Sequence, residues 1–245
     1  MRTKTLLIAA AAALAAAVTS SQAQTVYSQN IVGYVNQTFP NPGDYYMICA
    51  PLTSTNTPAQ NLLTCAQTFD TVLLWNSGSG SYGVYTYYYP GYGSDGGPWA
   101  DVNGNPTTSP VIGPGEGFFY QTGSGSIETN TYTGTVLLTN TISFPLAGNY
   151  YMVGSAVPVA GLAQSTNFNL PFQTFDTILA WNTTSGTYST YTYYYPGYGS
   201  DGGPWADVNG NPTTSPTINV GEGFFYQTGS GSSETWTQND SYINP

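Results

Sequence analysis

TVLLWNSGSGSYGVYTYYY occupies Thr71–Tyr89, and TILAWNTTSGTYSTYTYYY occupies Thr177–Tyr195. Each stretch is a pair of runs rich in β-branched and aromatic residues. Thr71–Asn76 and Ser81–Tyr89 flank Ser77–Gly80, and Thr177–Asn182 and Thr187–Tyr195 flank Thr183–Gly186. Two such runs about a short Gly/Ser/Thr turn predict a β-hairpin in each place. On the returning strand, alternation sends Tyr85, Tyr87 and Tyr89 to one face and Tyr82, Val84, Thr86 and Tyr88 to the other. The strand is read as covered on one side and lined by tyrosines on the other.

The duplication reaches well beyond the hairpins. Gln67–Thr129 and Gln173–Thr235 align without gaps at an offset of 106, and Tyr85–Pro110 returns letter for letter as Tyr191–Pro216. Upstream, Phe39-Pro40 and Tyr45-Tyr46-Met47 answer Phe144-Pro145 and Tyr150-Tyr151-Met152, whereas Ile48–Ala66 and Val153–Phe172 have diverged. Either the identical block is a constrained working surface or the two copies have been homogenised.

Further strands are expected at Tyr45–Ala50 and Tyr150–Ser155, at Glu116–Gln121, at Ile127–Tyr132 and at Glu234–Ile243. Gly134–Thr139 is read as the opening strand of the second copy, and Pro58–Ala66 as a short helix capped by Thr57. The predicted fold is all-β: two tandem antiparallel β repeats of about 105 residues, packed as a pseudo-symmetric pair. Residues 24–132 form the first repeat and residues 133–245 the second.

Met1–Ala23 reads as an export signal. Arg2 and Lys4 precede an Ala-rich apolar run, and Ser21-Gln22-Ala23 fits the cleavage site, so the mature chain is expected to be secreted, extracellular or at the cell surface. Those two residues are the only basic ones in the sequence, there is no His, and twelve acids follow them. Nothing in the mature chain can neutralise phosphates or anionic lipid, which argues against nucleic acid and membrane surfaces as partners. Ser-His-Asp and Cys-His catalysis, Schiff bases, P-loops and His-based zinc sites are likewise closed by composition. Cys49 and Cys65 are the only thiols. In an oxidising compartment they are expected to pair, closing a loop of about 15 residues worth on the order of 3 kcal/mol.

Three features resemble a family of secreted bacterial tandem β-repeat proteins. They are Tyr27–Val35 (YSQNIVGYV), Trp-Asn at the hairpins (Trp75-Asn76, Trp181-Asn182), and Gly-Glu-Gly-Phe-Phe at 115–119 and 221–225. The resemblance spans nearly the whole mature chain. It implies an exported β-repeat protein and no catalytic activity. The long Tyr/Gly/Asp insert is more elaborate here than in that family, and no functional residues carry over.

Ten of the twelve acids form repeated pairs: Asp70/Asp176, Asp95/Asp201, Asp101/Asp207, Glu116/Glu222 and Glu128/Glu234. Asp95, Asp101, Asn103 and Asn105, with Asp201, Asp207, Asn209 and Asn211, place side-chain oxygens at the spacing of hard-cation loops and are candidate calcium ligands. The same residues suit ordinary Asx turns, and Ile112 stands where an EF-hand has its bidentate acid. Tyr87, Tyr89, Tyr92 and Trp99, with Tyr193, Tyr195, Tyr198 and Trp205, are candidates for two aromatic contact surfaces that would meet a protein or a sugar ring. They could equally roof the sheet. Asp70-Thr71 and Asp176-Thr177 echo an aspartic-protease dyad but fit turn-capping at a strand start. Glu116 and Glu222 could be glycosidase acids, or acceptors of backbone N–H groups at tight turns.

The expected function is therefore a non-catalytic structural, adhesive or surface-layer protein. Its duplicated loops would form two equivalent contact surfaces toward other protein copies or surface glycans. A two-site, calcium-dependent glycan-binding module ranks second, and a carboxylate-only glycoside hydrolase third.

Overall fold

The computed structural model describes residues 32–52, 55–123, 125–166, 168–229 and 233–239. The segment read as an export signal, the start of the YSQNIVGYV segment and the chain end beyond residue 239 lie outside the described residues. The first repeat comprises β1 (Val32–Phe39), β2 (Tyr45–Cys49), β3 (Thr57–Pro58), α1 (Ala59–Leu62), β4 (Thr71–Asn76), β5 (Ser81–Tyr87), β6 (Trp99–Ala100), β7 (Val111–Ile112), β8 (Gly117–Gln121) and β9 (Glu128–Thr135). The second comprises β10 (Thr139–Phe144), β11 (Tyr150–Gly154), β12 (Gly161–Leu162), β13 (Thr177–Asn182), β14 (Thr187–Tyr193), β15 (Trp205–Ala206), β16 (Thr217–Ile218), β17 (Gly223–Gln227) and β18 (Glu234–Asn239).

Each repeat builds a five-stranded antiparallel sheet, in the orders β2-β8-β4-β5-β6 and β11-β17-β13-β14-β15. Ribbons β1–β9 and β10–β18 accompany them. The hairpin β4–β5 pairs Asn76 with Ser81. Its turn is held by Asn76 Oδ1, which accepts from Gly78 N at 2.9 Å and Ser79 N at 3.0 Å, and by Gly80 at φ 64°. That left-handed conformation suits glycine, which has no Cβ to collide with the carbonyl.

Period-two alternation on β8 and β17 divides two cores. Phe118 and Tyr120 point into the first repeat, against Phe39, Ile48, Val72, Trp99 and Ile112. Phe224 and Tyr226 do the same in the second, against Phe144, Ile178, Trp205 and Trp236. The residues between them, Phe119 and Phe225, face the other way and meet Met47 and Met152 in a shared seam. The seam is reciprocal. Trp75 Nε1 donates to Tyr150 O at 2.8 Å and Trp181 Nε1 to Tyr45 O at 2.7 Å. Trp75 meets Phe225 edge-on at 5.2 Å, and Trp181 meets Phe119 edge-on at 5.1 Å.

Gly-Glu-Gly-Phe-Phe acquires a physical explanation here. Its first glycine turns the chain at φ 75° (Gly115) or 77° (Gly221) and offers its carbonyl to the other repeat. Gly154 N donates to Gly115 O at 3.1 Å, and Cys49 N to Gly221 O at 2.9 Å. Its second glycine lets the two backbones touch: a Cβ on Gly117 would sit 2.8 Å from Val153 N, and one on Gly223 would sit 2.7 Å from Ile48 O.

Four expectations are corrected. Helix α1 covers only Ala59–Leu62, because Thr57 and Pro58 are drawn into β3 against β7 and Asn130 of β9 takes over the far end. Asn130 accepts from Thr64 N at 2.9 Å and donates to Leu62 O at 2.8 Å, while the Thr57 hydroxyl bonds Thr55 O rather than capping the helix. The opening strand of the second repeat is Thr139–Phe144, not Gly134–Thr139, since Gly134 and Thr135 still pair with β1. Strand β5 stops at Tyr87, two residues short, as Tyr88 N turns to Pro98 O at 2.8 Å.

The fourth concerns the thiols, which stay unpaired. Alternation on β2 sends Tyr46 and Ile48 into the first-repeat core that holds Cys65, and sends Met47 and Cys49 to the seam. The two sulfurs thus lie on opposite faces of one strand. Cys49 packs over Gly154 with its thiol toward Ser155 O at 3.7 Å, and Cys65 lies 3.8 Å from the Tyr120 hydroxyl. Burial pushes both thiols up to about 12, which leaves them unreactive near neutrality.

Candidate functional site

The duplicated loop starts where β5 and β14 leave their sheets. Asp95 Oδ1 accepts from Gly97 N at 3.0 Å and Oδ2 from Ser109 N at 2.9 Å, tying the two ends of the loop together. Those bonds, the Ser109 amide first, hold its carboxyl down at about 2, and Asp201 sits at about 2 for the same reason. Asp101 Oδ1 accepts from Asn103 N and Asn105 N at 2.9 and 2.8 Å, and Oδ2 takes Asn105 Nδ2 at 3.2 Å. Asp207, Asn209 and Asn211 repeat the pattern. The candidate calcium ligands thus form two separate Asx turns per loop. Among the described residues no three His, Cys, Asp or Glu side chains converge as a metal site would need.

The aromatic candidates separate into two groups. Trp99 and Trp205 are fully buried, a correction to their reading as contact residues. Residues 99–100 and 205–206 join the sheets as edge strands, and each indole N–H donates inward, to Gln60 Oε1 or Gln164 Oε1, at 3.0 Å. Tyr87 and Tyr193 pack edge-on against those indoles at 5.6 and 5.8 Å. Tyr89 and Tyr92 do reach the surface, and with them come two rings the sequence reading passed over. Phe69, Tyr88, Tyr92 and Tyr89 make a row: Phe69 meets Tyr88 edge-on at 5.9 Å, Tyr88 stacks on Tyr92 at 4.7 Å, and Tyr89 meets Tyr92 edge-on at 5.2 Å. Phe175, Tyr194, Tyr198 and Tyr195 repeat it. Tyr92 Oη donates to Gly104 O at 2.6 Å, which ties the row to the Asp101 turn.

Phe69 and Phe175 begin these rows under unusual conditions. Each has φ 76°, and they are 63 % and 57 % exposed. A left-handed conformation costs a non-glycine residue about 1–2 kcal/mol, and here it holds a largely exposed ring whose aromatic neighbour is Tyr88 or Tyr194. The identical Gln-Thr-Phe-Asp-Thr at 67–71 and 173–177 was the available signal: an apolar ring inside an otherwise polar turn.

The remaining acid pairs are buried or apart. Asp70 and Glu128 are 0 % and 4 % exposed, and both lie 2.5 Å from the Tyr120 hydroxyl. Asp176, Tyr226 and Glu234 form the same triad at 2.6 Å. One phenol carries one hydrogen, so each triad needs a second proton. Asp70 already accepts from Gln67 N and Gly123 N, each at 2.5 Å. Asp70 is thus the better-satisfied acceptor, and Tyr120 Oη lies within hydrogen-bond reach of both carboxyls. Burial pushes the Glu128 carboxyl up, and Glu234 up to about 7. Asp70 and Asp176 anchor turns through the backbone amides they accept. Glu116 and Glu222 line different clefts, and each accepts a backbone N–H at its turn, from Gly113 at 2.8 Å and Asn219 at 2.9 Å.

Among the described residues no helix is long and apolar enough to cross a membrane. Comparison of the chain with protein-family models, with curated proteins and with solved structures found no match in any of the three.

Proposed function

We propose that the protein is an exported, non-catalytic contact protein whose two aromatic rows are equivalent adhesive surfaces. Their partners on this reading are further copies of the chain or surface glycans. The observation that carries it is the exposed phenylalanine held at positive φ at the head of each row. Flat rings with few rotatable bonds lose little entropy on binding and bury large apolar area. The absence of Lys and Arg beyond residue 4 also leaves no site for trypsin-like proteases, which suits an extracellular life.

The test is the double substitution Phe69→Asn, Phe175→Asn. Asparagine tolerates left-handed backbone better than phenylalanine, so thermal stability is expected to be unchanged or raised by up to about 1 kcal/mol. Self-association by sedimentation velocity, or retention on immobilised glycans, should fall at least tenfold. A destabilised chain with undiminished association would show the rings to be packing and end the reading.

A second reading, a two-site glycan-binding module whose loops are ordered by calcium, is favoured by one feature. A hollow of about 400 Å³ beside the second loop is lined by Tyr193, Gln164 and Asp201. Calcium that raises the melting temperature of the parent but not of the Asp101→Asn, Asp207→Asn chain would favour it; equal shifts would dismiss it.

A further inference from the structure

Two clefts flank the seam between the repeats, each of about 320 Å³. They are pseudo-equivalent. Trp75, Ser77 and Glu116 of one repeat face Tyr151, Met152 and Val153 of the other in the first cleft. Trp181, Thr183 and Glu222 face Tyr46, Met47 and Ile48 in the second. Each cleft holds a single acid, whose Oε2 accepts one backbone N–H while Oε1 has no hydrogen-bond partner among the described residues. Burial pushes both carboxyls above the usual range, the mark of a charge lacking compensation. Each cleft also holds an indole whose only N–H is already spent on a backbone carbonyl across the seam. It therefore has only its π surface to offer a ligand.

We propose that these clefts bind alkylammonium groups, one per cleft, from a lysine side chain of a partner or from a free amine. A carboxylate beside an indole attracts an ammonium twice, by a charge-assisted hydrogen bond and by a cation–π contact. The methionine and aliphatic walls suit the alkyl stem. Chemistry disfavours the alternatives: an anion meets a carboxylate, and Ca²⁺ wants six to eight oxygens. The chain itself has no cation beyond residue 4 to supply. The two clefts also differ in a way that ranks them. Asn219 Nδ2 donates to Glu222 Oε2 at 2.8 Å, whereas Gly113 stands at the matching position beside Glu116. Glu116 is thus the less compensated carboxylate, and its cleft is the tighter site.

The test titrates the full chain with n-butylammonium, with n-butanol as neutral counterpart, reading binding by calorimetry and by seam tryptophan fluorescence. Two sites are expected, the first several-fold tighter, with n-butanol at least tenfold weaker. Glu116→Gln should remove the tight site and Glu222→Gln the weak one, while Asn219→Gly brings the two affinities together. Thermal melting of the variants confirms that they fold; a variant that does not is replaced by Trp75→Phe or Trp181→Phe, expected to weaken its own cleft about threefold. Binding that survives Glu116→Gln, Glu222→Gln unchanged would be diffuse attraction to the ten remaining acids and would overturn the proposal, as would n-butanol binding equally well. A capped single-lysine peptide that binds at least as tightly as n-butylammonium identifies a protein partner, and a weaker one a free amine.

Discussion

Tyr120→Phe, which removes one oxygen from the first-repeat core, is expected to destabilise the chain by roughly 3 kcal/mol, lowering the melting temperature by about 6–12 °C. The hydroxyl lies between Asp70 and Glu128 at 2.5 Å from each. Without it, two buried acid groups lose their bridge and no cation can take its place. Tyr226→Phe should do the same in the second repeat. A melting temperature within about 2 °C of the parent in both variants would rule out the shared-proton arrangement.

The same triads set an unusual pH dependence. Glu234 is held at about 7 in the fold by burial, above the ~4.3 of an unfolded chain. The folded state therefore retains a proton that the unfolded state releases, and stability falls as pH rises from ~4.3 to about 7. That loss is on the order of 3 kcal/mol, and Glu128 moves stability in the same direction. Asp95 and Asp201, held at about 2, act oppositely: their contribution is present above ~3.9 and is lost as pH falls through 2. The urea midpoint should peak near pH 4–5 and decline toward neutrality. A midpoint that climbs between pH 5 and 8 would refute this.

Gly117→Ala carries the second large effect. The added methyl would meet Val153 N at 2.8 Å and Val153 O at 2.9 Å, backbone atoms that cannot rotate away. The repeats must separate to admit it, uncovering Phe119, Phe225 and the reciprocal tryptophans. A cost above about 4 kcal/mol, in the range of severe core disruption, is expected for Gly117→Ala and equally for Gly223→Ala, which meets Ile48 O at 2.7 Å. Gly125→Ala is the control, since its methyl would meet only Gln67 Oε1 at 3.6 Å. Chemical denaturation of the three variants decides. If Gly117→Ala behaves like Gly125→Ala, the close approach is not what the motif preserves.

Much of this fold was legible because period-two patterns are local. The hairpins at Thr71–Asn76 and Ser81–Tyr87, and the split between Phe118, Tyr120 and Phe119, follow from alternation and turn chemistry alone. What was illegible depended on residues far apart in sequence. Trp99 looked like a surface ring until its two-residue strand paired with β5 and Gln60 met its indole. Cys49 and Cys65 looked like partners until the face of β2 on which Cys49 falls was known. Phe69 and Tyr88 were not among the candidate contact rings, because a positive φ and a stacked neighbour 4.7 Å away leave little trace in composition. Gly-Glu-Gly-Phe-Phe was visible as a motif, but its reason lies in another repeat's backbone.

Cys49 and Gly154 stand at equivalent positions of the two repeats, yet they face each other across the seam, where a Cβ on the glycine would collide with the cysteine. This pairing makes the halves non-interchangeable. Two first repeats brought together would set cysteine against cysteine with no room for both, and two second repeats would leave a gap where the thiol should be. A bump in one copy matched to a hole in the other is how a duplicated chain comes to recognise its own opposite half. Within one chain each half is thereby the fitted counterpart of the other.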